Sequence, residues 1–291
     1  MGKVRVGVIG ASGYTGADLV RLAARHPDVE IVALTANTHA GKTMAEVFPH
    51  LGQLSLPKLI RNEDANWNGV DVVFCGLPHA TSQEVIAGLP AYLKVIDMSA
   101  DFRFRDPATY ERWYGGAHKA PELQKEAVYG LTEHYREEIA PARLVACPGC
   151  YPTAALTVIL PLVRAGLIDA GDLIIDAKSG VSGAGRSLKQ NILFCEAGEG
   201  LSPYSIASHR HAPEIEQEVS RAAGQPVIVN FTPHLVPMSR GELVTVYARL
   251  RRGSTADECA ATLAARYRNE PFVFLSPKGV MPATQTVRGS N

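Results

Sequence analysis

An apolar run over residues 4–9 breaks on Gly10-Ala11-Ser12-Gly13-Tyr14-Thr15-Gly16 and passes directly into a helical pattern over 15–25. This junction constrains the fold more than any other stretch of the chain. A strand that turns on glycine into a helix gathers the first-turn amides of that helix, and glycine lets a pyrophosphate approach the backbone there. The glycines stand at the first, fourth and seventh positions of the motif, whereas the common dinucleotide fingerprint places its second glycine one position earlier. Spacing alone is therefore weak. The context of strand before and helix after favours a nucleotide site over a bare turn, so Gly10, Ser12, Gly13, Tyr14, Thr15 and Gly16 are read as cofactor-binding.

Further apolar runs at 31–34, 70–75, 95–98 and 144–146 alternate with helical stretches, the rhythm of parallel strands joined by crossover helices. The run at 70–75 is apolar at nearly every position after Asp71, as in a strand covered on both faces, and Gly76-Leu77-Pro78 stops it. Pro78, at that strand's end, joins the cofactor set. Beyond residue 147 the pattern changes to a helix over 152–165, strands over 173–177, 227–231 and 243–250, and a helix over 256–268. Fewer crossovers and longer strands predict a mixed or antiparallel sheet. The chain is thus read as α/β, with a Rossmann-type dinucleotide-binding domain at 1–147 and an α+β domain with a mixed sheet at 148–291. The segment 101–125, rich in aromatics and Arg, follows neither period.

With 291 residues, 46% of them hydrophobic and 20% charged, the chain is long enough for two cores and a cleft. Lys plus Arg and Asp plus Glu are 29 each, so there is no cationic excess to follow nucleic acid or an anionic membrane. The stretch from Met1 enters an apolar run without a signal-peptide layout, and no apolar stretch reaches the length of a membrane span. These features predict a cytoplasmic protein. Five scattered cysteines are not a disulfide framework, which predicts reduced thiols.

The cofactor follows from the second strand. A carboxylate at its end would hold the ribose hydroxyl of NAD, but the chain reads Thr35-Ala36-Asn37-Thr38 there, and Glu30 lies at the opposite end. Thr35, Asn37, Thr38 and Lys42 offer donors and one positive charge where a 2′-phosphate would sit, which predicts NADP(H).

Cys150 heads a predicted helix whose first turn holds Tyr151, Pro152 and Thr153. The helix dipole there stabilises a thiolate, a nucleophile toward an activated carbonyl, and the acyl thioester so formed accepts hydride. Two other readings stand beside it. Cys147-Pro148-Gly149-Cys150 has the spacing of a dithiol redox site, and most cysteines are simply buried. The dithiol reading leaves the glycine turn unexplained, and no second cysteine pair supports zinc.

His209 and His211 precede a helix with Pro213 near its start and Gly224 past its end, and both imidazoles are expected on the loop before it. Either one is a candidate to protonate or stabilise the oxygen of a tetrahedral centre, histidine being the side chain that titrates nearest neutrality. The alternatives are a capping or packing histidine, and a metal pair that lacks a third ligand, so no metal is expected. His26, His39, His118 and His134 are read as surface residues. Ser99 and Arg103 follow the strand at 95–98, at the edge where such sheets bind ligands, and Arg103 is a bidentate phosphate candidate. Ser182 and Gly183 lie in a glycine-rich run after the strand at 173–177, read either as amides closing over a nicotinamide or phosphate, or as a flexible loop.

These motifs, with Pro148-Gly149-Cys150-Tyr151-Pro152-Thr153-Ala154, His209-Arg210-His211-Ala212-Pro213-Glu214 and Val236-Pro237-Met238-Ser239-Arg240-Gly241, resemble the N-acetyl-gamma-glutamyl-phosphate reductase family of arginine biosynthesis, related to aspartate-semialdehyde dehydrogenase. The resemblance covers nearly the whole chain. It implies acylation of Cys150 by N-acetyl-glutamyl 5-phosphate, reduction by NADPH to the semialdehyde, His209 or His211 as acid or base, and Arg240 as a substrate contact. It also implies that the second domain carries catalysis and dimerisation, in a homodimer or homotetramer. The family chemistry does not need Cys147. The run Val287-Arg288-Gly289-Ser290-Asn291 resembles a motif that the family continues for several dozen residues, so a chain ending there is expected to be less stable or to associate differently. Rival readings are a reductase of carrier-bound aminoadipyl phosphate or aspartyl phosphate, and a nucleotide-binding regulator without catalysis.

Overall fold

The computed structural model describes residues 2–290, so Met1 and Asn291, named above at the two ends of the chain, lie outside the described residues. It divides into two compact units, Met1–Pro148 and Gly149–Asn291.

The first unit runs β1 (Val4–Ile9), α1 (Tyr14–Ala23), β2 (Val29–Thr35), α2 (Met44–Val47), β3 (Leu59–Ile60), β4 (Val72–Cys75), α3 (Ser82–Ala87), β5 (Lys94–Asp97), α4 (Pro107–Tyr114), α5 (Pro121–Glu126), β6 (Val128–Tyr129), α6 (Thr132–Ile139) and β7 (Leu144–Ala146). Its strands form one seven-stranded sheet in the order β3-β2-β1-β4-β5-β7-β6, each neighbouring pair parallel. Alternation along β1 feeds two cores: Val6 and Val8 join one apolar cluster with Val20, Leu34 and Leu59, whereas Ile9 joins another with Val73, Ile86 and Val95. This is a doubly wound sheet whose strand order reverses between β1 and β4, the crevice where such sheets bind ligands. The glycine turn lies there.

Two of its glycines are sterically required. Gly10 has φ of 82° and a Cβ on it would lie 2.6 Å from Gly76 O, while a Cβ on Gly16 would lie 2.6 Å from Gly10 O and 2.8 Å from Ala11 Cα. Gly13 has no such crowding, its nearest atom being Gly10 O at 3.6 Å. We therefore expect Gly16→Ala to cost about 1–3 kcal/mol through overpacking against backbone, whereas Gly13→Ala costs under about 1 kcal/mol but weakens dinucleotide binding. Urea midpoints and a NADPH fluorescence titration separate the two. Equal destabilisation by both variants would contradict this account.

Residues 99–126 fold around buried polar groups rather than a period. Asp101 accepts from Ala80 N at 2.8 Å, Ser82 Oγ at 2.7 Å and Tyr110 Oη at 2.7 Å. Gln83 donates to Tyr110 Oη at 2.7 Å, and Gln124 donates to Phe104 O at 2.7 Å. His118, expected at the surface, is buried here, with Nε2 2.9 Å from Asp101 O, because the network needs a partner for that carbonyl.

The second unit runs α7 (Cys150–Arg164), β8 (Ile168–Ser179), α8 (Phe194–Ala197), β9 (Ser202–Pro203), α9 (His211–Ala223), β10 (Asn230–Leu235), β11 (Glu242–Leu250) and α10 (Ala256–Tyr267). The sheet order is β11-β8-β10-β9, with β10 parallel to β8 and β11 antiparallel to it, a mixed sheet. Alternation along β8 buries Leu173, Ile175, Ala177 and Ser179 on one face, and α7 packs against β11 and α9. The strand expected over 227–231 begins only at Asn230. Val227 N is taken by Ser220 Oγ at 2.8 Å and Val229 N by Glu216 Oε1 at 3.1 Å, so those amides bond α9 rather than a ladder.

Candidate active site

Apart from Ser182 and Gly183, which belong to the second unit, the residues expected to hold the cofactor lie around the carboxyl edge of the first sheet but differ in what they offer. Gly10 N and Ala11 N donate to Thr35 O at 3.0 and 2.9 Å, which draws the glycine turn onto the end of β2. The Thr35 side chain is fully buried and its hydroxyl donates to Asn62, so it shapes the turn. Asn37 and Lys42 remain exposed, with Asn37 Oδ1 accepting from Asn62 N at 2.9 Å, and Pro78 is exposed past β4. Gly13 is the N-cap of α1 and supplies no side-chain acceptor, as suits a helix end that meets an anion. Ser12 lies in the turn, and Tyr14 and Thr15 open α1.

The substrate candidates of this unit are more deeply engaged than expected. Ser99 is buried, donating to Asp97 Oδ2 at 2.7 Å and lying 2.7 Å from Ser82 Oγ. Its hydroxyl orders the loop. Burial pushes the Asp97 carboxyl up to about 6, against the pull of its Ser99 hydrogen bonds. Arg103 donates through Nε to Cys147 O at 2.8 Å and through a guanidinium nitrogen to Met98 O at 3.4 Å, which fixes the turn after β7. Burial pushes the Cys147 thiol up to about 11, the opposite of what a dithiol nucleophile needs.

In the second unit the chain turns on Gly149, the N-cap of α7, with φ of −63° and ψ of 160°. Cys150 is the first helical residue, and it is exposed. The turn is held from α9. Gly149 N donates to Glu214 Oε1 at 2.8 Å, and Glu214 is buried. His211 rests on the glycine itself, for a Cβ at position 149 would lie 2.3 Å from its Nε2. The structure thus gathers Cys150 and both histidines at one helix end. His211 is the first residue of α9 rather than a loop residue, since Arg210 already has helical φ and ψ and caps it.

His209 accepts the His211 backbone N–H on Nδ1 at 3.1 Å, so its ring proton sits on Nε2. Burial first, then the neighbouring His211 and Arg210, push it down to about 4. It is therefore neutral above that pH, and the expectation that it titrates near neutrality is corrected. An aromatic box surrounds it: its ring lies 5.7 Å from Tyr151, 5.5 Å from Tyr204, 5.3 Å from Phe231 and 4.7 Å from His211. Tyr151 and Tyr204 pair through their hydroxyls at 3.0 Å, and burial raises both phenols.

The glycine-rich run after β8 is neither a flexible loop nor a row of amides aimed outward. Gly180 N, Val181 N and Ser182 N donate to Gly241 O, Met238 O and Ser239 O at 3.0, 3.0 and 3.1 Å, and Gly183 N donates to Gly180 O at 3.2 Å. The segment around Arg240 clamps it. A Cβ on Gly180 would lie 2.7 Å from Met238 O, so glycine here serves backbone packing. Arg240 is exposed at the tip of that clamp.

Residues 5–142 match the family model described as semialdehyde dehydrogenase, NAD binding domain, and residues 150–291 match semialdehyde dehydrogenase, dimerisation domain. A Rhodospirillum rubrum protein named N-acetyl-gamma-glutamyl-phosphate reductase is 56% identical over 294 residues, covering 99% of this chain and 84% of its own. Relatives of the same name from Cereibacter sphaeroides and Afipia carboxidovorans are 55% and 51% identical, covering 98% and 99% of this chain and 83% and 84% of their own. The chain belongs to the N-acetyl-gamma-glutamyl-phosphate reductase family. Among solved structures, aspartate semialdehyde dehydrogenase II complexed with ASA from Vibrio cholerae superposes with a TM-score of 0.70 at 16% identity, over 99% of this chain and 85% of that one. Aspartate semialdehyde dehydrogenase with NADP from Candida albicans gives 0.61 at 18% identity, over 89% and 75%. At these identities the likeness concerns the fold, an α/β unit followed by a mixed-sheet unit.

The site of this family member holds one group that the sequence reading passed over. Glu242, first residue of β11, is hydrogen-bonded to Cys150, and burial pushes its carboxyl up to about 7. A signal for it existed. In the alternating run Glu242-Leu243-Val244-Thr245-Val246-Tyr247 the acid shares its phase with Val244 and Val246, the side that packs.

Proposed function

We propose that the chain reduces N-acetyl-L-glutamyl 5-phosphate to N-acetyl-L-glutamate 5-semialdehyde and phosphate with NADPH, in arginine biosynthesis, through a thioester on Cys150. The observation that carries this reading is an exposed cysteine at the head of α7, beside the two imidazoles at the head of α9. A thiolate there gains from the helix dipole and attacks the acyl carbon, with phosphate leaving. We assign donation to the substrate oxygen to His211, which rests on Gly149 next to the nucleophile, and to His209 a neutral supporting role. Arg240, exposed on the clamp, is assigned to the substrate's anionic groups. Cys147, with its thiol pushed up by burial, is left out of the chemistry.

The dinucleotide, when bound, supplies the hydride. The turn fits its pyrophosphate, because Gly10 and Gly16 pack it closely on backbone while Gly13, the N-cap of α1, leaves the helix amides uncovered by any side chain. Asn37 and Lys42 fit a 2′-phosphate, and β2 ends without a carboxylate. Among the described residues no helix is long and apolar enough to cross a membrane, and we assign the enzyme to the cytoplasm, where its thiols stay reduced. The outward face of the second sheet carries Ile174 at 47% and Tyr247 at 56% exposure, opposite one another in the ladder, and we assign it to a second copy of this chain.

The test follows NADP reduction with N-acetylglutamate 5-semialdehyde and phosphate. We expect kcat/KM at least ~10²-fold above that with aspartate semialdehyde, since an acetamido group leaves polar partners unmatched when it is missing. A KM for NADP about 10-fold or more below that for NAD is expected from charged hydrogen bonds to the extra phosphate. Preference for aspartate semialdehyde would overturn the substrate, and equal cofactor constants would overturn the choice of NADP.

A further inference from the structure

We propose that Glu242 is the proton acceptor of the Cys150 thiol, a catalytic residue of this chain in addition to the cysteine and the histidine pair. The inference deepens the function proposed above and rests on Cys150 being the nucleophile.

Glu242 stands opposite Ser179 in the β8–β11 ladder, and Gly180 N donates to Gly241 O at 3.0 Å just before it. Ser179 is on the buried face of β8, the face covered by helices, so the carboxyl is turned toward α7 and not toward the outer face. There it meets the Cys150 thiol in a hydrogen bond. The other groups around it are the phenols of Tyr151 and Tyr204 and the hydroxyl of Ser179, with His209 and His211 packed on the Tyr151 ring. The cation of β8, Lys178, lies one residue out of phase and pairs with Asp176 on the opposite face. Arg240, two residues upstream, is exposed.

Both tyrosines stay protonated, since burial raises their phenols, and so cannot accept the proton, while His209, held near 4, is a weak base. The Glu242 carboxyl, brought up to about 7, exchanges its proton close to working pH. In acylation the S–H bond breaks as the S–C bond forms, and the proton passes to Glu242. The C–O bond to phosphate then breaks with its electron pair on phosphate, which takes its own proton from solvent. After the carbonyl carbon has been reduced, the C–S bond breaks, and the departing thiolate takes the proton back from Glu242. Carboxylate and thiol are restored, and each turnover consumes one solvent proton.

Iodoacetamide modification of Cys150, followed by peptide mass spectrometry, reads the thiol without substrate, and turnover is measured in parallel on wild type and Glu242→Gln. Removing a neighbouring negative charge should make alkylation at pH 7 about 10-fold faster, equivalent to one unit in the thiol's titration. Removing the acceptor should lower kcat about 10²-fold with KM little changed. Opposite movements of the two rates are the expected result. A fall in both, as from local disorder, or a kcat within about 3-fold of wild type, would overturn the proposal. If Glu242→Gln does not fold, Glu242→Asp should shift the acid limb of the kcat profile, and an unmoved limb would overturn it equally. Turnover surviving Cys150→Ser would instead defeat the thioester reading, whatever Glu242 does.

Discussion

Cys150→Ser should lose at least ~10³-fold in kcat while folding as well as the parent, because a serine hydroxyl at a helix head is a far weaker nucleophile than a thiolate. Little stability should change, since the side chain is exposed and a surface substitution away from special geometry is worth about ±0.5 kcal/mol. NADPH binding, followed by fluorescence, should also survive, because the glycine turn belongs to the other unit. Loss of turnover with binding and melting temperature retained is thus the expected signature. Cys147→Ser provides the contrast. Its thiol is pushed up to about 11 by burial, and its carbonyl, not its sulfur, takes the Arg103 hydrogen bond. We expect kcat to remain within about 3-fold of wild type. A loss equal to that of Cys150→Ser would restore the dithiol reading.

The glycine turn and Cys150 were legible because each is fixed by local backbone. Gly10 and Gly16 are required by atoms a few residues away or at the neighbouring strand's end, and such needs leave a residue type behind in the sequence. Cys150 was placed by the helix that follows it, which begins at Cys150 itself, two residues before the start read from the sequence. What stayed hidden was set by partners distant along the chain. Thr35 and Ser99 have the residue types of ligand contacts, yet Asn62 takes the hydroxyl of one and Asp97 that of the other. His118 sits in a polar stretch but is buried by the network around Asp101. The amides of Gly180, Val181 and Ser182, open to any partner when read as sequence, are taken by a segment about sixty positions downstream, and that of Gly183 by Gly180.

Titration behaviour was less legible still. The histidine pair was read as titrating near neutrality, the ordinary range of an imidazole, but His209 is enclosed by Tyr151, Tyr204 and Phe231 beside a second imidazole. Burial disfavours its charge, so its value drops to about 4. The same burial acts in reverse on Glu242, where the charged form is the deprotonated one, and brings a carboxyl up to about 7. His209 and Glu242 have exchanged the usual ranges of their side chains. Residue type alone therefore does not say which group of the site titrates near neutrality.

Gly149→Ala should be the most damaging substitution that removes no functional group. The added Cβ would lie 2.3 Å from Nε2 of His211 and 2.7 Å from two further ring atoms, well inside contact distance. Backbone φ is not the obstacle, since −63° suits alanine. Relief by moving the main chain is opposed by the 2.8 Å bond from Gly149 N to buried Glu214, so the imidazole must give way. Displacing a positioned group by about 1 Å can cost about 10²-fold in rate, and overpacking adds about 1–3 kcal/mol of destabilisation. Kinetics and urea midpoints for Gly149→Ala, His211→Ala and the double variant test this as a cycle. The imidazole is the obstruction, so its removal should make room for the methyl, and the double variant should be more stable than the sum of the single costs by about 1–2 kcal/mol. Additive costs would show that the methyl is accommodated elsewhere and that His211 does not depend on glycine at position 149.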